Sequence, residues 1–355
     1  MKNFIMAVAI CMLWSISVIA QPMVYIADTE SDDVSVISCP GNVIIDTIPV
    51  GDTPFGTAIS PAGDFLYVTN IFDNTVSVIE TATNSVIETI AVGGFPNKAA
   101  ITPDGSFLYV VAALDDVVTV IDTATNTIAD TVLVGFFPGG VGVTADGSSV
   151  YVTNTLGDSI SVIRTSDNMV IATINAGDAP LSAVSSPDSS VVYIVNQGDD
   201  NISVINTATL AIIDTIPVGI IPQAIVFHPD GSHAYVTNFI DNSVSVIRTA
   251  AGAVVDTIPV GIGPISIDIT SEGFFLYTTN SVSGTVSVIS TEQKRVIQTI
   301  KVGDSPSSSG TFITPSEPCF APQVPTLSKW GLISLVMVIG IIGFIAIRRK
   351  SALQS

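Results

Sequence analysis

Acidic side chains recur along the chain at a near-fixed interval: Asp32-Asp33, Asp73, Asp115-Asp116, Asp158, Asp199-Asp200 and Asp241, each in a short polar stretch between apolar runs. Carboxylates gathered on one rim are hard oxygen donors, the kind that Ca²⁺ takes in numbers. The spacing argues for a different role. No EF-hand or RTX-type pattern is present, and one Asp per stretch spreads the charge rather than focusing it. Asp and Asn also build turns by accepting nearby backbone N–H groups, which this distribution fits better. Asp73, Asp116, Asp158, Asp200 and Asp241 are therefore members of a candidate binding face; no cofactor is expected there, and Ca²⁺ is the ion such a face would suit.

Other reactive residues are sparse. The two histidines, His228 and His233, share one turn with Asp230, a spacing that does not supply three metal ligands. No paired nucleophile and base, Rossmann glycine pattern or P-loop stands out, and the Asp-Gly and Gly-Asp pairs read as turns. The arginines between the ends are Arg164, Arg248 and Arg295.

The elements that position these residues follow from a repeat. The seven tyrosines, Tyr25, Tyr67, Tyr109, Tyr151, Tyr193, Tyr235 and Tyr277, are each 42 residues from the next, and a proline series from Pro54 to Pro306 keeps the same interval. A period of this length means stacked supersecondary units. One unit, from Pro54, contains four short runs rich in Val, Ile, Thr, Tyr and Phe: Thr57–Ser60, Phe65–Thr69, Val76–Ile79 and Val86–Val92. Turn chemistry separates them, and no run inside the repeats has the length or period of a helix. Many runs are apolar on both faces, as expected of small sheets stacked between neighbours.

Four antiparallel strands in about 42 residues is the arithmetic of a propeller blade. The tetrads Tyr67-Val68-Thr69-Asn70, Tyr151-Val152-Thr153-Asn154 and Tyr235-Val236-Thr237-Asn238 make the chain resemble the YVTN-repeat β-propellers, found in microbial surface and secreted proteins. The resemblance runs from residue 22 to about 316 and implies an all-β, seven-bladed propeller within residues 21–316. The first unit enters at its second strand. The last is followed by Pro306–Pro315, an inner-strand sequence with no second strand after it. The C-terminal segment is thus expected to complete blade one, leaving no free sheet edge between first and last. Cys39 follows the third strand of blade one and Cys319 follows the closing strand, so both should emerge on one face and pair as a disulfide in an exported protein.

The loops into the inner strands share a face with the acidic loops. The residue after each repeat proline differs sharply between units, and Phe55, Asn97 and Gln223, with the Phe136-Phe137 pair, are the candidates for a ligand groove at the channel mouth.

Residues 1–20 read as a signal peptide, with Lys2 before an apolar stretch and Val18-Ile19-Ala20 as the cleavage site. Residues 317–327 form a Pro-rich linker that enters a second motif. Residues 328–355 complete that motif and add the apolar run Gly331–Ile347, at the lower limit for a membrane helix, and a basic tail. Pro325, Thr326, Leu327, Trp330 and Gly331, placed before the apolar run and basic end, resemble the bacterial IPTL-type C-terminal sorting signal, a relative of the PEP-CTERM tails handled by exosortases; Val324 replaces the usual Ile. This implies handling by export and sorting machinery and delivery to the cell-envelope surface or extracellular matrix, the helix holding the chain in the membrane before or instead of processing.

Between residues 21 and 327 all 31 acidic residues face six basic ones, a formal charge of −25. Such a surface repels nucleic acid. The expected function is a non-catalytic binding, adhesion or surface-structural module with an extracellular protein or polysaccharide as partner. The rival is an extracellular propeller enzyme, lactonase-like or quinone/metal-dependent; the residues expected near the axis are mostly Pro, Gly, Ser and apolar, which argues against it.

Overall fold

A computed structural model describes residues 22–39 and 41–315. Among them every regular element is a β-strand apart from one 3-10 turn, Thr249–Ala251, and no helix is long and apolar enough to cross a membrane. The segments read as signal peptide, linker, sorting motif and tail lie outside the described residues. The strands form seven antiparallel blades. Blade two is typical: inner strand Pro54–Ile59, then Phe65–Asn70, Thr75–Glu80 and outer strand Ser85–Ala91.

Burial explains the composition. The second and third strands of a blade are buried on both faces, whereas the outer strands are mostly exposed. An apolar cluster fills the interface between neighbouring blades; Tyr67, Val76 and Val78 of blade two meet Leu108, Val110 and Ile121 of blade three. Two-sided burial is why these runs do not alternate apolar and polar.

The inner strands begin earlier than their sequence suggests. In blade two Pro54 pairs with Asn70 and Thr57 with Val68, so the inner strand carries one extra residue between the two pairs. The same bulge follows the proline in blades three to seven. A bulge re-aims the side chains after it, which matters at the axis.

Ring closure is as expected. Blade one consists of Met23–Asp28, Asp33–Ser38 and Val43–Pro49, with the C-terminal segment against its inner edge. Ser307 N–H donates to Ala27 O (2.8 Å), Tyr25 N–H to Phe312 O (2.8 Å) and Thr314 N–H to Met23 O (2.9 Å). Between these bonds Ser309 and Gly310 swing to blade two and pair in parallel with Gly56 and Thr57. The closing segment thus ties blade one on one side and blade two on the other. Phe312, fully buried, joins Val24, Ile26 and Ile37 of blade one and Tyr277, Val286 and Val288 of blade seven in the seam core.

The YVTN residues bond the blades together. Tyr25 Oη donates to Asn84 Oδ1 in the next blade, 59 residues on, as Tyr109 does to Asn168. Tyr277 of blade seven makes the same bond to Asn42 of blade one, now 235 residues back, which is the same offset taken round a circle of seven 42-residue units. The motif Asn donates Nδ2 to two side chains of the third strand, as Asn70 does to Thr75 and Ser77.

Blade one carries Asp28 at that Asn position, fully buried, with Oδ2 accepting the Ser35 hydroxyl. Burial pushes Asp28 up to about 7, against an ordinary value of 3.8. Its contribution to stability is therefore complete below pH 3.8 and lost as pH rises through 7. Asp28→Asn, whose amide would donate to Ser35 as Asn70 does to Ser77, should leave stability at pH 4 nearly unchanged and add about 2 kcal/mol at pH 8. Urea denaturation at both values checks it; an equal effect at both would contradict the role given to the charge.

Candidate functional site

The loops between second and third strands and the loops into the inner strands meet on one face. Up to two side chains of each acidic loop reach these neighbours. Asp73 Oδ2 accepts Asp52 N–H (2.8 Å), and Asp241 Oδ2 accepts Ile220 N–H (2.8 Å), each within its own blade. The next loop position bonds the following blade: Asp116 Oδ1 accepts Phe137 N–H (2.7 Å), Asp158 Oδ1 accepts Ala179 N–H (3.1 Å) and Asp200 Oδ1 accepts Ile221 N–H (2.8 Å). Both bonds span 21 residues, half a repeat. The turn role expected of these Asp residues is correct in kind but not in partner: they latch a facing loop, not their own turn. Asp116, Asp158 and Asp200 also hold positive φ, which Asp tolerates well. Among the described residues no three His, Cys, Asp or Glu side chains are grouped to hold a metal ion.

Between the latches the face is apolar. Phe72, Leu114, Leu156, Ile240 and Val282 hold one equivalent loop position and are each at least half exposed. Phe136 and Ile262, two residues before their blade prolines, add to them. Phe95 lies with its ring centroid 6.3 Å from both Phe72 and Phe137. The apolar arc covers blades two to four and six to seven; Glu30 and Asp304 interrupt it at blade one, Asp52 at the loop into blade two and Asp178 at blade five. The expected Phe136-Phe137 pair thus belongs to a larger surface. Its other members, Phe72 and Phe95, were hidden in stretches that read only as turns.

Phe55, Asn97 and Gln223 sit half-buried at the inner-strand bulges of blades two, three and six. None of them lines the axial cavity, a space of about 270 Å³ walled by inner strands. That cavity holds two charged residues with no charged counterpart in the other units. Lys98, on inner strand Pro96–Ile101 of blade three, is buried, and Nζ donates to Leu181 O of blade five at 3.2 Å. Burial lowers its ammonium to about 8. Asp268, on inner strand Pro264–Ile269 of blade seven, accepts Phe312 N–H (2.8 Å) and Ile313 N–H (3.0 Å) through Oδ2 and Ile269 N–H (2.8 Å) through Oδ1. Burial raises it to about 6 despite these three donors. No ion pair joins the two: among the described residues the ion pairs are Arg164–Asp167, His228–Asp230 and Lys294–Asp256, all away from the axis.

Aligning the repeats on their prolines would have exposed both residues. The position of Lys98 is Gly56, Gly140, Ser182, Ala224, Ser266 and Ser308 elsewhere, and that of Asp268 is otherwise small or apolar. His228 and His233 decorate the turn between first and second strands of blade six, with His228 Nδ1 2.7 Å from Asp230 Oδ1. Cys39 is buried at the end of the third strand of blade one, Sγ 3.2 Å from Tyr277 Oη; its expected partner, Cys319, lies outside the described residues.

Comparison with known proteins agrees with this architecture. A family model described as YNCE-like beta-propeller matches residues 34–138 and 224–315, and an IPTL-CTERM motif matches residues 322–349. The latter marks an exported, envelope-associated protein. A search of curated proteins finds no match. Among solved structures, hydrazine synthase of Kuenenia stuttgartiensis is similar with a TM-score of 0.67 and 22% identity over 73% of this chain and 89% of that one. A functionally unknown protein from Desulfotomaculum acetoxidans gives a TM-score of 0.71 and 16% identity over 81% and 99%. Both likenesses are of fold. With more than half of its residues matched by one propeller model, and with the ring that model calls for, the chain belongs to the YNCE-like beta-propeller family.

Proposed function

We propose that this propeller is a non-catalytic binding module at the cell-envelope surface or in the extracellular matrix, contacting an extracellular protein or polysaccharide through the loop face. The observation that carries the reading is the exposed arc around Phe72 and Phe136 on a rim where Asp73, Asp116, Asp158, Asp200 and Asp241 are spent on backbone latches. Exposed apolar groups clustered on one face of a rigid, strongly acidic scaffold mark a contact surface. Aromatic anchors dominate such contacts, and their loss costs little folding energy when the rings are exposed.

The double variant Phe72→Ser, Phe136→Ser should be exported and melt like the parent. Its retention in the surface or matrix fraction should fall by about tenfold, the equivalent of 1.4 kcal/mol of contact energy. Unchanged retention of a folded variant would contradict the assignment of the face. Lactone turnover by purified protein, abolished by removing a bound ion, would replace the reading with the enzymatic one.

Two features of the ends belong to the same proposal. The apolar run Gly331–Ile347 holds the chain in the membrane until, or unless, sorting removes it; the intact mass of native protein distinguishes an end near Pro325–Lys329 from an intact Ser355. Cys39 pairs with Cys319 across the seam. In the chain-entropy scheme a disulfide closing so long a loop contributes about 5 kcal/mol. Alkylation of Cys39 and Cys319 in unreduced protein would end that assignment.

A further inference from the structure

We propose that the axial cavity is a binding site for a small monocarboxylate with a compact apolar body, its carboxylate held by Lys98. An ammonium carries three N–H donors, and the Leu181 carbonyl is the only hydrogen-bond acceptor that the described residues give Lys98. Among the described residues no carboxylate lies within ion-pairing distance of Nζ, so there the charge is buried beside one neutral acceptor. That arrangement costs folding energy. The scaffold does not require it, because Gly, Ala or Ser fills the same position in every other unit.

Local structure makes room for the side chain. Lys98 starts on blade three and its Nζ reaches blade five, passing the blade-four inner strand Pro138–Val143, which carries Gly139, Gly140 and Gly142. A Cβ at Gly140 or Gly142 would lie 2.2 Å from Leu181 O or 2.1 Å from Ala183 O, so this strand packs directly on blade five. The walls around Lys98 are mostly apolar, with Ala99, Val141, Ala183 and Ile225 among them, and Ser182, Ser185, Ser309 and Thr311 add hydroxyls. The cavity continues to Ala145 and Ser185 at the far ends of the inner strands, towards the face opposite the acidic loops. A mostly apolar cavity with a cation at one end suits a ligand with an anionic head and an apolar body.

Among the described residues Asp268 is the only other charged group lining the cavity. Its two oxygens accept three backbone N–H groups, two of them from the closing segment, so its charge is met there. Burial keeps Asp268 neutral below about pH 6 and lets Lys98 lose its proton above about pH 8. Carboxylate affinity should accordingly be highest near pH 6, where the ligand is still ionised, and fall steadily towards pH 9.

Calorimetric titration of the full chain with benzoate and with butyrate tests the site, with benzamide as the neutral counterpart. At least one of the two carboxylates should bind wild-type protein at or below about 10 mM. Lys98→Met should weaken it at least tenfold while melting no lower than wild type, since it removes a poorly compensated buried charge. Benzamide should bind at least tenfold more weakly than benzoate if benzoate is the ligand that fits. Failure of both carboxylates to bind, equal binding to wild type and Lys98→Met, or affinity that does not fall between pH 6 and pH 9 would each overturn the proposal. The loop-face reading is unaffected by any of these results, because retention at the surface is measured without the cavity ligand.

Discussion

Removing Pro306–Pro315 from the otherwise full chain is expected to abolish the cooperative thermal transition. The segment contributes the inner strand of blade one and, through Ser309 and Gly310, a short parallel pairing with blade two. Its loss strips acceptors or donors from Met23, Tyr25 and Ala27 and opens the seam core around Phe312. A buried Phe reduced to Ala alone costs about 3–5 kcal/mol. The deletion adds lost backbone pairing to that, so its cost is comparable with the 5–15 kcal/mol that is typical of a whole folded domain. Circular dichroism on heating should show a broad, low transition or none, and size exclusion should show association through the exposed edge of Met23–Asp28. A deletion variant as heat-resistant as its parent would refute closure by this segment.

Asp268→Ala should be the most damaging single substitution that touches the closing strand only through hydrogen bonds. It leaves Ile269, Phe312 and Ile313 N–H groups inside the protein without their acceptor. Each stranded donor costs about 1–3 kcal/mol, partly offset by removal of a buried carboxylate, for a net loss of about 3 kcal/mol at pH 7. The pH dependence has a defined sign. Because burial raises Asp268 from 3.8 to about 6, its contribution is complete below pH 3.8 and falls as pH rises through 6. The gap between wild type and variant should therefore be widest near pH 4 and narrower by about 2 kcal/mol at pH 7. Urea midpoints at the two values measure it, and a gap that widens with pH would contradict the assignment.

Much of this architecture was legible in the sequence because a propeller repeats its solution. The 42-residue interval of Tyr and Pro reports blade number, and the unpaired inner-strand sequence at Pro306–Pro315 reports closure. The tyrosines are legible for a physical reason: each fills an interface between blades, and Tyr25, Tyr109 and Tyr277 also bond the neighbouring blade through an Asn. The axial site was not legible by the same route. An extra residue after each proline shifts the inner strand, so the variable position first singled out, that of Phe55, Asn97 and Gln223, does not line the cavity. One shifted residue changes which side chains face a given direction. Lys98 and Asp268 depart from the repeat once each, and a single departure shows only when the units are aligned position by position on their prolines. The loop-face arc was partly legible: Phe136-Phe137 stood out as a pair, whereas Phe72 and Leu114 lay within turn-like stretches.

Rigidity at the seam connects the fold to both proposals, since the loop arc and the cavity each span several blades. Native-state hydrogen exchange of individual amides tests that rigidity directly. In a closed ring the Tyr25 and Thr314 amides, bonded to Phe312 O and Met23 O, open only with the whole domain and should be as protected as the amide of Tyr151 in blade four. Exchange of Tyr25 and Thr314 at a markedly lower free energy than Tyr151, with the rest of the propeller still protected, would show that the circle is not fastened where the structure places its clasp.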